Sequence, residues 1–169
     1  MADVYYNKDL MNLIEDFIRF TPKTKRELED AVELYMENRE EAIRLYMNIN
    51  KWNTHYITNM SEMFSEYTKF NEPIGNWDTS NVINMEEMFY NAKSFNQDIS
   101  KWNISKVKNM KMMFFKAFKF NQNIGNWDTS NVENMYKTFC LAKSFNQNLN
   151  KWNTSKVTDI ERMFEYTNK

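Results

Sequence analysis

The five tryptophans of this chain stand 25 residues apart, at Trp52, Trp77, Trp102, Trp127 and Trp152. Chance does not produce such spacing, and a missed period mis-assigns a whole fold, so the repeat is the first constraint on what the chain can become. Neighbouring columns keep the same register. An aliphatic residue stands before each tryptophan (Ile49, Ile74, Ile99, Ile124, Leu149) and another after it (Ile57, Val82, Val107, Val132, Val157). Beyond lie Met60, Met85, Met110, Met135 and Ile160, then Phe64, Phe89, Phe114, Phe139 and Phe164, and a last column of Phe70, Phe95, Phe120 and Phe145. One such unit cannot bury its apolar side alone, so stacked units must share a continuous core.

Turns are needed in every unit, yet the chain has only 2 glycines and 2 prolines against 25 asparagines. Asparagine is the residue that best replaces glycine in tight turns. Two asparagine columns repeat: Asn71, Asn96, Asn121 and Asn146 follow the phenylalanine, and Asn59, Asn84, Asn109, Asn134 with Asp159 precede the methionine. Their amides can bond to corner backbone groups or to the equivalent residue one unit along, and ladders are expected. Phe95, Ile99 and Trp102 bracket a stretch too short for a long helix, whereas Met110, Met113 and Phe114 sit at helical spacing. Each unit is therefore expected to run strand, turn, short helix, turn, and the fold class to be an α/β solenoid of five units. A second period of 50 residues lies over the first, since Gly75 to Val82 recurs identically as Gly125 to Val132.

Residues 1–44 lack the repeat and read as an α-helical N-terminal cap, with the repeat domain over 45–169 and the two forming one compact domain. Leu10, Leu13, Ile14, Phe17 and Ile18 follow a helical period. Thr24 with Glu27 forms a capping box that opens a second helix with Leu28, Ala31, Val32 and Tyr35 on one side. Asn38 and Glu41 repeat the arrangement for a third helix, and the first strand is expected to begin at Leu45.

Composition narrows the functional classes. A net charge of -1 gives no charge-driven preference for nucleic acid or for an anionic membrane. Cys140 is alone, which excludes an intrachain disulfide, and no basic segment leads into an apolar run at the start. The chain reads as soluble, without membrane insertion, and intracellular (cytoplasmic) or part of a virion. Catalysis is not expected. The one histidine, His55, occupies the turn column of Ser80, Ser105, Ser130 and Ser155, and Cys140 falls in a variable column with no histidine near it in the repeat. No phosphate-binding glycine loop or transition-metal cluster occurs, and Asp78, Asp128 and Asp159 are too dispersed for a calcium site, so no metal or cofactor is expected.

The pattern Ser94-Phe95-Asn96-Gln97-Asp98-Ile99, Trp102-Asn103-Ile104-Ser105, Val107, Asn109-Met110 and Met113-Phe114 resembles the BspA-like leucine-rich-repeat surface-protein family. That family is known for Trp-Asp-Thr-Ser-x-Val-x-x-Met-x-x-Met-Phe repeats, and Trp77 to Ser80 and Trp127 to Ser130 carry the first four residues verbatim. The likeness spans 45–169, and the leading helices look like the preface of its intracellular and large-DNA-virus members. The resemblance implies a leucine-rich-repeat-like right-handed coil used for protein recognition or adhesion, and it supplies no catalytic residues. No lipobox or signal peptide of the kind carried by the family's bacterial surface lipoproteins is expected.

In such a coil the non-core strand positions form a ladder on one face. Here they are Glu72, Gln97, Gln122 and Gln147, then Pro73, Asp98, Asn123 and Asn148, with Asn76, Lys101, Asn126 and Lys151 alternating beside them. A non-catalytic scaffold that binds a protein partner of unknown identity through this polar face is the expected function. The alternative is a structural component, for example of a virus particle, and a glycan-binding adhesin is third. No capping helix is expected behind the last unit, and Val157, Ile160, Met163 and Phe164 are expected to form an assembly end that docks a second copy or another protein.

Overall fold

Thr24 leaves an extended approach, and its hydroxyl accepts from the Glu27 N–H at 3.2 Å, which opens helix α1 (Lys25–Glu37). The Glu27 carboxylate turns back to the Lys23 N–H at 2.6 Å, one residue before the partner of a standard capping box. Leu28, Ala31, Val32 and Tyr35 are its buried side. Asn38 closes α1 and opens α2 (Arg39–Tyr46), accepting from the Glu41 N–H at 3.2 Å. A 3-10 turn, Ile49–Lys51, leads into the repeats. The structure, a computed structural model, describes residues 19–167, so the helix expected around Leu10 to Ile18 lies outside the described residues.

The expected repeat unit does not form. No strand exists among the described residues; the units are joined by isolated parallel bridges running Asn59, Asn84, Asn109, Asn134, Asp159. No helix forms at Met110, Met113 and Phe114 either, and Leu45 belongs to α2 and starts no strand. The α/β solenoid of strand, turn and helix, and with it the leucine-rich-repeat-like coil, is thereby overturned. The reason lies in where the backbone N–H groups go. Met110, Met112, Phe114 and Lys116 donate to the next unit, to Asn134, Tyr136, Thr138 and Cys140, at 2.8–3.0 Å. The intervening Met113, Phe115 and Ala117 close three-residue turns onto Met110, Met112 and Phe114 at 3.0–3.1 Å. A helix would need all of these donors for its own ladder. Met112 and Lys116 reach this alternation with φ of 52° and 57°, in the left-handed region, and their equivalents in the other units do the same.

The stretch expected to be a strand fails for a different reason. Between Asn71 and Asn146 the inter-unit partner is a side chain: the Asn96, Asn121 and Asn146 N–H groups each donate to the side-chain oxygen of the asparagine one unit earlier at 2.9 Å. This is the asparagine ladder in one column. In the other column the side-chain oxygen stays local, with Asn84, Asn109 and Asn134 accepting from the N–H two residues on at 2.9–3.0 Å, while the Asn109 amide N–H donates to Glu86 of the unit before at 3.1 Å.

Stacking in register brings like rings together. Phe64, Phe89, Phe114, Phe139 and Phe164 form one column with centroids 5.5–5.7 Å apart, and Phe70, Phe95, Phe120 and Phe145 another at 5.8–5.9 Å. Trp77, Trp102 and Trp127 are each at most 4% exposed. Full burial of one such aromatic side chain contributes about 1.5–3 kcal/mol before entropy is counted. At the first unit the segment ahead of the repeats continues the column: Phe20, before α1, and Tyr35, on it, meet Trp52 edge-on at 5.3 and 5.9 Å. Arg39 grips Glu72 with two bonds of 2.8 Å.

Gly75 and Gly125 mark the corner where successive units approach most closely. A Cβ on either would overlap a carbonyl oxygen of the next unit, Asp98 or Asn148 respectively. Neither has positive φ, so space and not backbone freedom dictates glycine here.

Candidate interaction surface

Of the glutamine column expected on the binding face, Gln122 and Gln147 are hydrogen-bonded to the preceding unit, and no such bond among the described residues holds Gln97. The Gln122 amide donates to the Asn96 carbonyl at 2.9 Å and to its side-chain oxygen at 2.8 Å. Gln147 repeats this on Asn121 at 3.1 and 2.8 Å. Glu72 departs from the row, because Arg39 and the Tyr35 hydroxyl, 3.4 Å away, tie it to the helices. Burial and then the Glu72 charge push the Tyr35 hydroxyl pKa up.

In the adjoining column Asp98, Asn123 and Asn148 accept from the N–H two residues on, at Ser100, Gly125 and Asn150, over 2.9–3.2 Å. The Ser100 hydroxyl and N–H, and then Lys101, hold the Asp98 carboxyl below its ordinary range. Lys151 reaches the Asn126 side chain at 2.8 Å, which joins the two residue types of the alternating stripe. Asn123, Gly125, Asn126, Asn148, Asn150 and Lys151 line a shallow recess of about 350 Å³. The row therefore offers fixed carbonyl and amide groups in a rigid frame and one recess, a chemistry of recognition by hydrogen bonding.

The second expected site separates into covered and open parts. Met163 is buried and Val157 half-buried, while Ile160 and Phe164 are 49% and 48% exposed. Phe164 stacks on Phe139 at 5.7 Å.

The titratable residues considered for chemistry take structural places. His55 is exposed, its Nδ1 2.8 Å from the Asp78 carboxylate. Burial and the Glu165 charge push the Cys140 thiol up, which keeps it protonated and a poor nucleophile. Among the described residues no group of three or more His, Cys, Asp or Glu could hold a metal ion, and no helix is long and apolar enough to cross a membrane.

Columns without a constant residue type carry another surface that the period does not mark. Tyr90 and Phe115 stack at 5.0 Å, and lysines lie over Phe115, Phe118 and Tyr136. The signal in the sequence is the meeting of lysines and aromatic residues in columns that vary.

A family model described as Mycoplasma protein of unknown function, DUF285, matches residues 34–139 and again 97–169. No curated protein and no solved structure matches the chain.

Proposed function

The chain belongs to the DUF285 family, described as Mycoplasma proteins of unknown function, and from that premise we propose a non-catalytic repeat scaffold that binds a protein partner through its polar ladder. Kinship with BspA-like repeat surface proteins is part of the proposal, supported by the Trp-Asp-Thr-Ser motifs at Trp77 and Trp127. The observation that carries it is the locking of Gln122 and Gln147 onto the asparagine ladder. Side chains fixed before binding lose little entropy on contact, so a preorganised polar row can bind with few strong contacts.

A photo-crosslinking amino acid placed at Asp98 and, separately, at Asn148 tests the reading in cells. Both positions should capture the same protein, and exposed Thr58 should not. Capture from Thr58 with equal yield, or different products from the two ladder positions, would defeat it.

A second reading, assembly through Ile160, Met163 and Phe164, is supported by the open ring of Phe164 at the end of its column. Sedimentation across a concentration series, with Phe164→Asp as comparison, tests it. The species should grow with concentration in the parent and not in the variant.

A further inference from the structure

Across the middle units a band of the surface is built of lysines and aromatic rings. Lys93, from the unit before, and Lys143, from the unit after, place their ammonium groups 5.9 and 5.1 Å from the Phe118 ring centroid. Lys116 lies 5.2 Å from the Phe115 centroid and Lys137 5.1 Å from that of Tyr136. Lys119 is exposed in the adjoining column. None of these five lysines forms an ion pair among the described residues.

Three of the carboxylates that border the band have other partners, while the exposed Glu161 stands one unit beyond Tyr136. Glu86 takes Lys111 at 2.7 Å, and Glu165 takes Arg162 at 4.0 Å. Glu66 takes the Asn91 amide at 2.6 Å. Glu87, also at the border, is held protonated more readily than usual by burial. The balanced charge of the whole chain conceals a local excess of positive charge.

We infer that this band docks an extended, acidic protein segment in which carboxylates alternate with apolar side chains. An exposed ammonium over a ring is held weakly, and a carboxylate offers the same ammonium a charge-assisted hydrogen bond that the ring cannot. A carboxylate can therefore draw each lysine off its ring and leave the ring for an apolar neighbour. Single-stranded nucleic acid fits less well. Its bases need open ring faces, and Tyr90 and Phe115 spend theirs on each other, while Phe118 lies under two lysines. This surface is distinct in residues and chemistry from the glutamine and asparagine ladder, so either can stand without the other.

Fluorescence anisotropy with a labelled peptide of alternating glutamate and leucine tests the inference on the full chain. Saturable binding is expected, weakening as salt is raised. The combined change Lys93→Glu, Lys116→Glu and Lys143→Glu should weaken it at least about tenfold, since three attractions become repulsions. Arg26→Glu, on the exposed side of α1, should leave it unchanged, and unaltered melting of the triple variant confirms folding. Equal binding of an alternating glutamine and leucine peptide overturns the proposal, as does tighter binding of a thymidine oligonucleotide. So does absence of saturable binding, or a folded triple variant that binds like the parent.

Discussion

The indole N–H of Trp77 donates to the Ile49 carbonyl, 2.9 Å away in the preceding unit. Trp102, Trp127 and Trp152 make the same bond to Ile74, Ile99 and Ile124 at 3.0–3.3 Å. Each tryptophan thus fills the core and also satisfies a carbonyl of its neighbour. Trp102→Phe keeps a ring and removes the donor, while the Ile74 carbonyl keeps the Trp77 N–H at 3.1 Å, so the change is expected to cost about 2 kcal/mol from lost area and one lost hydrogen bond. Trp152 is half-buried, and the same change there should cost about 1 kcal/mol. Urea denaturation of both variants measures the difference, and equal losses would contradict it.

Gly125 and Ser100 occupy the same column and answer differently to alanine. A Cβ at Gly125 meets the Asn148 carbonyl oxygen, a backbone atom that cannot swing aside. Gly125→Ala should destabilise by about 2 kcal/mol or more, within the range of overpacking. Ser100 is exposed, and Ser100→Ala should stay within about 0.5 kcal/mol. Thermal unfolding of the pair gives the comparison.

The columns of the core were legible because identity repeats: Trp, Phe and Ile recur at one spacing and are buried where the period puts them. The caps at Thr24 and Asn38 were legible because their bonds are local. The path of the backbone between columns was not. Met110, Met113 and Phe114 have helical spacing, yet successive three-residue turns also place such residues on one side. What separates the two is the destination of N–H groups such as that of Met112, bound to Tyr136 in the next unit. No nearby residue announces that partner, and the left-handed positions hold Glu87, Lys116 and Leu141 where glycine would have given a signal. The ladder side chains were found through their constant columns, and the lysine band was missed because its columns vary.

Glu87 combines a left-handed backbone, φ 55°, with a carboxyl whose pKa is raised by burial and by Glu62 and Glu86 against the opposing Lys111. Glu87→Asn should stabilise the protein by about 0.5–1 kcal/mol, because asparagine tolerates this region. Glu87→Ala removes the carboxylate and keeps the backbone cost, so it should gain less. Equal melting temperatures for the two variants would show that the backbone is not the cause.

Asp128 has its pKa lowered by the Ser130 hydroxyl and N–H. A depressed folded pKa contributes stability above the ordinary carboxyl value, and that contribution is lost as pH falls through the folded pKa. Asp128→Asn keeps the acceptor, as Asn103 and Asn153 do for Ser105 and Ser155. The variant should therefore melt slightly below the parent at neutral pH, with the gap closing in acid below the ordinary aspartate range. A gap that stays constant with pH would refute this.

The close corners at Gly75 and Gly125 recur in alternate units, with Ser100 between them. The array consequently has a phase as well as a length. Excising one 25-residue unit would either bring the two glycine corners into succession or set Ser100, with its Cβ, against the Asn148 carbonyl that now meets Gly125, whereas excising 50 residues would restore the alternation. Growth or loss by pairs of units is the change that leaves this corner pattern intact.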